Sequence, residues 1–491
     1  MRKITWFLTV IVLVILIGFL SPLVTGIYFS QEYAKFIHSY NQNDNVILTL
    51  KNYHRGWFSS DAVLEISLKP SPFAKSLNLS TISTPFIAYQ HIQHGPIFFH
   101  DIGFNTFFGL ATIVDRWEIP ENIKNSLKQV GLVRFPDTKE SSMMTLTGRF
   151  ITYFKIGDIE IANPPARIFI HGLVGKGSVD ADVKNVQGIF TLSALSVVTP
   201  ENTSMISDIT LDFDQHKILQ NLWVGKNSLE IAHINFKDKD GLVNLNDIHF
   251  DGQTSEEKGL LDAFSAFNIA NLSEEMKGDT QSMGPLHFKL SIHKVSAQAI
   301  NDLLTAYRET TERGELYALQ LQQKLMNIAP FLINTESSIV LDELSLKTKD
   351  GDLQLTAKAY WPNKNSDQLF AIIQATEVET NLHIAKKLVE RLIQFTAEPA
   401  FVKKPVDPEN LPGAPGTPPI PSAISIKAGM SPSPIIPAPI IPAKTPETIP
   451  EKIHEQITEW LNAGYIKQDA DNYTVNIQRH NGQLTVNGKP I

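Results

Sequence analysis

The sequence predicts a mainly β (α+β) protein: one N-terminal transmembrane helix, a large antiparallel β-rich exported body with a few helices, a proline-rich disordered insertion, and a small C-terminal helix plus β-hairpin. Three observations carry this. Residues 6–24 form an uncharged, mostly apolar run. Between residues 44 and 380, apolar and polar residues alternate in short stretches. Fifteen of the 29 prolines fall between Pro399 and Pro450. The chain divides accordingly into an anchor (1–28), a body (29–398), a linker (399–450) and a C-terminal unit (451–491).

The apolar run approaches the roughly 20 residues that cross a bilayer as a helix, and exceeds the 7–15 of a cleavable signal. Arg2 and Lys3 precede it, whereas Glu32 comes before the next cation, Lys35. The positive-inside rule leaves the N-terminus in the cytoplasm and exports the rest. The expectation is a single-pass protein of a bacterial inner membrane, held through residues 6–24, with its bulk in the periplasm. The chain has no cysteine, which excludes disulfides and thiolate chemistry. A net charge of −8 gives no sign of nucleic-acid binding.

Strands are read from period-two alternation in Leu64/Ile66/Leu68, Ile168/Ile170, Val179/Ala181/Val183, Ile209/Leu211/Phe213, Val243/Leu245, Phe288/Leu290/Ile292 and Leu353/Leu355/Ala357. Such alternation suits an antiparallel sheet with one packed and one wet face. Asp240-Gly241, Asp350-Gly351 and Asn481-Gly482 mark tight hairpins. The three hairpins suggest a repeat, but the wider segments do not align. Helical spacing predicts one helix over Ser296–Ala329, bent or split at Gly314, and another over Asn381–Glu398. Their apolar stripes, Ile300/Leu303/Leu304/Tyr307 and Leu382/Ala385/Leu388/Val389/Leu392, are assigned to a core.

Proline cannot donate to a ladder, so the linker is expected to be extended and disordered, a spacer rather than a polyproline ligand. Beyond it, Ile453, Ile457, Trp460 and Leu461 predict a helix closed by Gly464. Strands Asn472–Gln478 and Gln483–Val486 follow. Forty residues are marginal alone, so this unit is expected to dock on the body.

Chemistry-bearing motifs are sparse. His91 and His94 lie three apart in an expected strand and point to opposite faces, so they do not share a metal. Gly172–Ser178 imitates a phosphate loop but lacks its spacing and its helix. No nucleophile elbow or paired acid/base motif is present, so no catalytic, cofactor-binding or metal-ligating residue is assigned. Tyr53–Ser60 reads as a turn in which Gly56 allows a tight bend and Trp57 and Phe58 cover the end of a sheet. Contact of the two aromatics with a membrane surface or an apolar ligand is the alternative.

Four stretches together resemble the YdgA-like proteins of Gram-negative bacteria, a group of unknown function. They are Arg55, Gly56, Trp57, Phe58 and Ser59 behind the anchor; His94, Gly95 and Pro96; Trp223 and Gly225 in Asn221–Gly225; and Asn487 and Gly488 near the end. The resemblance implies an inner-membrane-anchored, β-rich periplasmic protein and transfers no catalytic residue. The proline insertion departs from that compact pattern. Two function classes follow. One is a non-enzymatic envelope protein that binds a lipid or envelope component along a β-groove, similar in layout to the larger AsmA-like envelope proteins. The other is an envelope-acting hydrolase or other enzyme with an unrecognised site.

Overall fold

The computed structural model describes residues 2–42, 46–68, 85–98, 108–118, 120–129, 131–134, 136–239, 241–276, 279–313, 318–362, 369–397 and 449–491. The expected linker, apart from Ile449 and Pro450, and Asp240 and Gly314 lie outside these.

The chain opens with α1 (Arg2–Tyr40) and continues through β1 (Val46–Arg55), β2 (Ser59–Leu68), β3 (Phe86–His94), β4 (Ala111–Glu118), α2 (Glu121–Gln129), β5 (Leu132–Arg134), β6 (Thr138–Met144), β7 (Phe150–Ile156) and β8 (Ile159–Asn163). The long strands follow: β9 (Ala166–Val179), β10 (Asn185–Val198), β11 (Thr203–Lys217), β12 (Trp223–Lys237), β13 (Gly241–Glu257), β14 (Leu260–Met276) and β15 (Asp279–Ser296). Helices α3 (Ala297–Arg313) and α4 (Ala318–Leu332) precede β16 (Ser338–Thr348), β17 (Gly351–Tyr360), α5 (Leu369–Gln374), β18 (Glu377–Ala385) and α6 (Lys386–Ala397). The end holds α7 (Ile449–Ala463), β19 (Lys467–Asp469), β20 (Asn472–His480), β21 (Gln483–Val486) and β22 (Lys489–Pro490).

All the strands join one antiparallel sheet. Pairing runs β1–β2–β3–β4–β6–β7–β9, then strand by strand from β9 to β18. Strand β20 pairs with β18, Leu382 opposite Val475 and Ile384 opposite Tyr473. The residues after the proline stretch thus extend the sheet begun before it.

One face of the first strands is covered by the second half of α1. Phe29, Tyr33 and Ile37, spaced one turn apart, bury against Leu48, Leu64, Ala88, Ile92, Ile113, Met144 and Phe150. The helix therefore does not end near residue 28; the apolar run and the first core element are one continuous helix. Among the described residues no helix is long and apolar enough to cross a membrane. The side chains of residues 1–16, which include most of the run 6–24, are not described.

Three expectations need correction. Val179/Ala181/Val183 is no strand: β9 ends at Val179, and a turn with Val183 at φ +53° tucks Ala181 and Val183 inside. Residues 381–385 belong to β18, because β17 and β20 offer them ladder partners on both sides; helix α6 begins at Lys386. The 296–329 stretch splits into α3 and α4 as expected, but Leu304 and Tyr307 of α3, and Leu392 of α6, are exposed rather than core.

Candidate functional site

The long strands place their apolar residues on one face in register. One row runs Phe190, Leu211, Leu229, Phe250, Phe267, Phe288, Leu344, Leu355, Leu382, Val475. A parallel row runs Leu192, Ile209, Ile231, Ile248, Ile269, Leu286, Leu346, Leu353, Ile384, Tyr473. No polar residue interrupts either row across ten strands. At about 4.8 Å between strands the rows extend roughly 43 Å. The residues between them point to the opposite face and are polar: Thr191, Thr210, Glu230, His249, Asn268, His287, Ser345, Gln354, His383 and Thr474.

The row side chains are mostly half-buried, and at the β17–β20 end Leu353, Leu382, Ile384 and Tyr473 pack under Leu388 and Val389 of α6. Leu211 and Phe250 remain 38% and 37% exposed, so the face is apolar and open there. Buried Ile248 and Ile269 mark its floor. The same face continues without a break into the α1-covered core: Phe154 and Phe150 of β7 share it, and Phe154, Phe190 and Phe213 stack in sequence at 5.6 Å between centroids. Gly175 and Gly188 lie beneath these rings, which occupy the space that a Cβ would fill.

A second device keeps the face apolar along the strands. Each strand from β9 to β15 takes one three-residue step in its period: Ile170/Leu173, Leu192/Leu195, Ile206/Ile209, Ile231/Ile234, Leu245/Ile248, Ile269/Leu272 and Met283/Leu286. At that step Gly172, Asp208, Asp247 and Gly284, on alternate strands, have φ of +60°, +54°, +51° and +127°. A left-handed residue resets the pleat, so apolar residues on both sides of the crease share one face. This is the repeat that sequence comparison of whole segments missed. Its signal, apolar-x-apolar-x-x-apolar-x-apolar, stands in Leu229–Phe236 and Val243–Phe250.

A polar cluster marks the passage from covered core to open face. Tyr33 Oη donates to Gln90 Oε1 at 2.6 Å, and Gln90 Nε2 to Asp115 Oδ1 at 2.8 Å. Trp117 Nε1 donates to Glu140 Oε2 at 2.7 Å. Burial, reinforced by the Asp115 charge, pushes the Glu140 carboxyl up to about 7, and burial raises Asp115 as well.

The sequence motifs map to structural tasks. His94 is buried in the seat of α1, and His91 faces solvent beside Asp61. The His94 Nδ1–H donates to Trp57 O at 3.2 Å, which leaves Nε2 to accept from Ser60 Oγ at 2.8 Å. Desolvation holds its pKa below the ordinary value. A serine hydrogen-bonded to a histidine imitates a nucleophile–base pair. Here Ser60 is 1% exposed, and a carbonyl stands where an orienting carboxylate would, so the pair locks the helix seat. Beside it Thr25 Oγ1 donates to Gly95 O at 3.0 Å, and a Cβ on Gly26 would strike the His94 ring. Pro96 follows on a cis peptide.

Gly56 does not need positive φ; its glycine requirement is the Ser59 carbonyl oxygen, 2.7 Å from where a Cβ would sit. Arg55 ends β1 and is exposed, and Ser59 opens β2. Trp57 and Phe58 are not core: they are 39% and 52% exposed and meet Phe19 of α1 at 5.0 and 5.7 Å. Trp57 Nε1 donates to Phe19 O at 2.8 Å. Half-buried Trp223 lies under Lys217 Nζ. The adjacent Asn221 binds α3 by accepting from Arg308 and donating to Asn301 and Thr305. Gly225 has φ +145°. Asn487 and Gly488, both at positive φ, make the β21–β22 turn, with Asn487 Nδ2 donating to Tyr465 O. The phosphate-loop imitation lies inside β9. Among the described residues no group of three or more His, Asp or Glu is placed to hold a metal.

No curated protein and no solved structure matches the chain. A family described as bacterial protein of unknown function (DUF945) matches residues 1–491. With that match over its whole length, the chain belongs to this bacterial family of unknown function.

Proposed function

We infer that this is a non-enzymatic envelope protein, anchored in the bacterial inner membrane through residues 6–24, that holds lipid acyl chains along the apolar face of its sheet. The observation that carries the reading is the pair of uninterrupted apolar rows across ten strands, mostly half-exposed from β10 to β16 and backed by a polar face. Open apolar surface on this scale marks an interaction site. At the β17–β20 end Leu353, Leu382, Ile384 and Tyr473 pack against Leu388 and Val389 of α6. From β10 to β16 the rows run about 29 Å. One leaflet of a hydrocarbon core of roughly 30 Å spans about 15 Å, so this stretch accommodates about two acyl-chain lengths end to end. Acyl chains need no directional partners, which suits a wall of Phe, Leu and Ile in which only Tyr473, at the far end, carries a polar atom. The rows continue into the core packed on α1, whose N-terminal half carries the apolar run.

The test is photocrosslinking in native membranes with benzoylphenylalanine at Phe250 and Phe267, and at His249 and Asn268 on the opposite face. Lipid adducts at the first pair and none at the second are expected. Lipid adducts equal at both pairs, or protein adducts alone at Phe250 and Phe267, defeat the reading. Reporter fusions after residue 28 test the anchor: cytoplasmic activity at residue 200 contradicts it.

A further inference from the structure

We propose that one end of the N-terminal sheet, carrying Trp57, Phe58, Ile97 and Phe108, is a rim that inserts into the headgroup boundary of the bilayer α1 enters. The proposal rests on the anchoring reading above and adds a second contact between body and lipid.

The geometry is set by two fixed points along α1. The β1–β2 turn is held at Phe19 by the Trp57 hydrogen bond and by both aromatic rings. The β3–β4 connection is held at Thr25 through Gly95 O. Register places both connections at the same end of the sheet, since Ser59 pairs with Gln93 and His94 with Ala111. Just beyond Gly95, Ile97 bridges Phe108, and these are 48% and 59% exposed. Of these four side chains, Trp57 and Phe58 touch Phe19, and Ile97 and Phe108 follow from Gly95, which is held at Thr25; Phe19, Leu20 and Val24 are themselves 51%, 45% and 63% exposed.

Depth decides the partner. The apolar run ends at Val24, five residues past Phe19, and a helical rise of 1.5 Å per residue puts Phe19 about 7.5 Å inside that end. Trp57 and Phe58 touch Phe19, so they share its depth. Aromatics that lie in an interface sit about 5–10 Å into the headgroup–acyl boundary, and Trp, apolar with one donor, is enriched there. Exposed Arg55 at the end of β1 suits the phosphate layer. A folded protein partner at this place would have to displace lipid from around the anchor itself.

The absence of cysteine makes labelling specific. Single variants Phe58→Cys, Ile97→Cys, Leu13→Cys and Thr191→Cys of the full chain are labelled with an environment-sensitive fluorophore. They are reconstituted in phosphatidylethanolamine–phosphatidylglycerol vesicles, with melting compared to the parent. The expected result is loss of emission at residues 58 and 97 with lipids brominated near the headgroup, and shielding from aqueous iodide. Leu13→Cys should respond to lipids brominated deep in the chain, and Thr191→Cys only to iodide. Iodide quenching at 58 and 97 while residue 13 stays in lipid overturns the rim and leaves the anchor standing. Iodide quenching at residue 13 as well overturns the anchor. Shielding of 58 and 97 from both quenchers means that a second copy covers them, which also overturns the rim.

Discussion

Gly225 tests the register on which the apolar rows depend. It lies in β12 opposite Gln215 at φ +145°, and a Cβ there would stand 2.0 Å from the Asp214 carbonyl oxygen and 2.9 Å from Gln215 Cα. Two penalties act together in Gly225→Ala. A backbone conformation open essentially to glycine costs an L-residue of order 1–3 kcal/mol. The clash is with main chain, so no side-chain rotation relieves it, and β11 must move away from β12 at about 1–3 kcal/mol more. Gly259 in the β13–β14 turn has φ +80° with nothing within 4 Å, so Gly259→Ala isolates the conformational penalty, at about 1 kcal/mol. At about 2 °C per kcal/mol, the lower end for domains of 150–250 residues, the melting midpoint falls by roughly 4–12 °C for Gly225→Ala and about 2 °C for Gly259→Ala. Circular dichroism melts of the detergent-solubilised full chain measure both. A Gly225→Ala midpoint equal to the parent's, or a larger loss at Gly259, would refute the β11–β12 register.

The Glu140 carboxyl, raised from 4.5 to about 7, is held protonated by the fold; its contribution is full below about pH 4.5 and lost as pH rises through 7. After solvent screening, Glu140 should cost the parent about 1–3 kcal/mol more stability between pH 5 and pH 8 than Glu140→Gln loses; the same change in the two proteins across that range contradicts it. His94 has the opposite sign: its pKa is lowered, so its contribution is present above 6.5 and fades as pH falls. At the other end of the sheet, buried Glu377 accepts from Asn481 N–H and the His480 ring, and these bonds outweigh its burial and keep its carboxyl below the ordinary value. Glu377→Ala should cost about 1–3 kcal/mol and speed hydrogen exchange in β20 while leaving β10–β14 protected; uniform loss of protection along the sheet would argue against a local latch.

Much of the local structure was legible from residue order. Strand β3 forms where a strand was expected around His91 and His94, and Gly464 at φ +75° ends α7 where the helix stripe stops. Asn481-Gly482 forms the expected turn with both residues at positive φ. These are short-range effects of side-chain period and backbone sterics, which one stretch of chain decides for itself. Residues 381–385 misled because Leu382 and Ala385 also fit a helical stripe; only partners on β17 and β20 select the strand.

Trp57 and Phe58 show the limit from another side. Their size argued for burial, yet whether an aromatic is covered depends on what lies opposite, and here that is Phe19 of a helix thirty-eight residues away. The sequence alone determined that the chain is β-rich, cysteine-free and opens with an uncharged apolar run. Only the tertiary structure decided that α1 runs on into the core, and that seven creased strands add their apolar steps into one face. The physical reason is that a period speaks for one strand, whereas a continuous surface requires every neighbour in register, and the left-handed residues at the crease hide that agreement from a search for simple alternation.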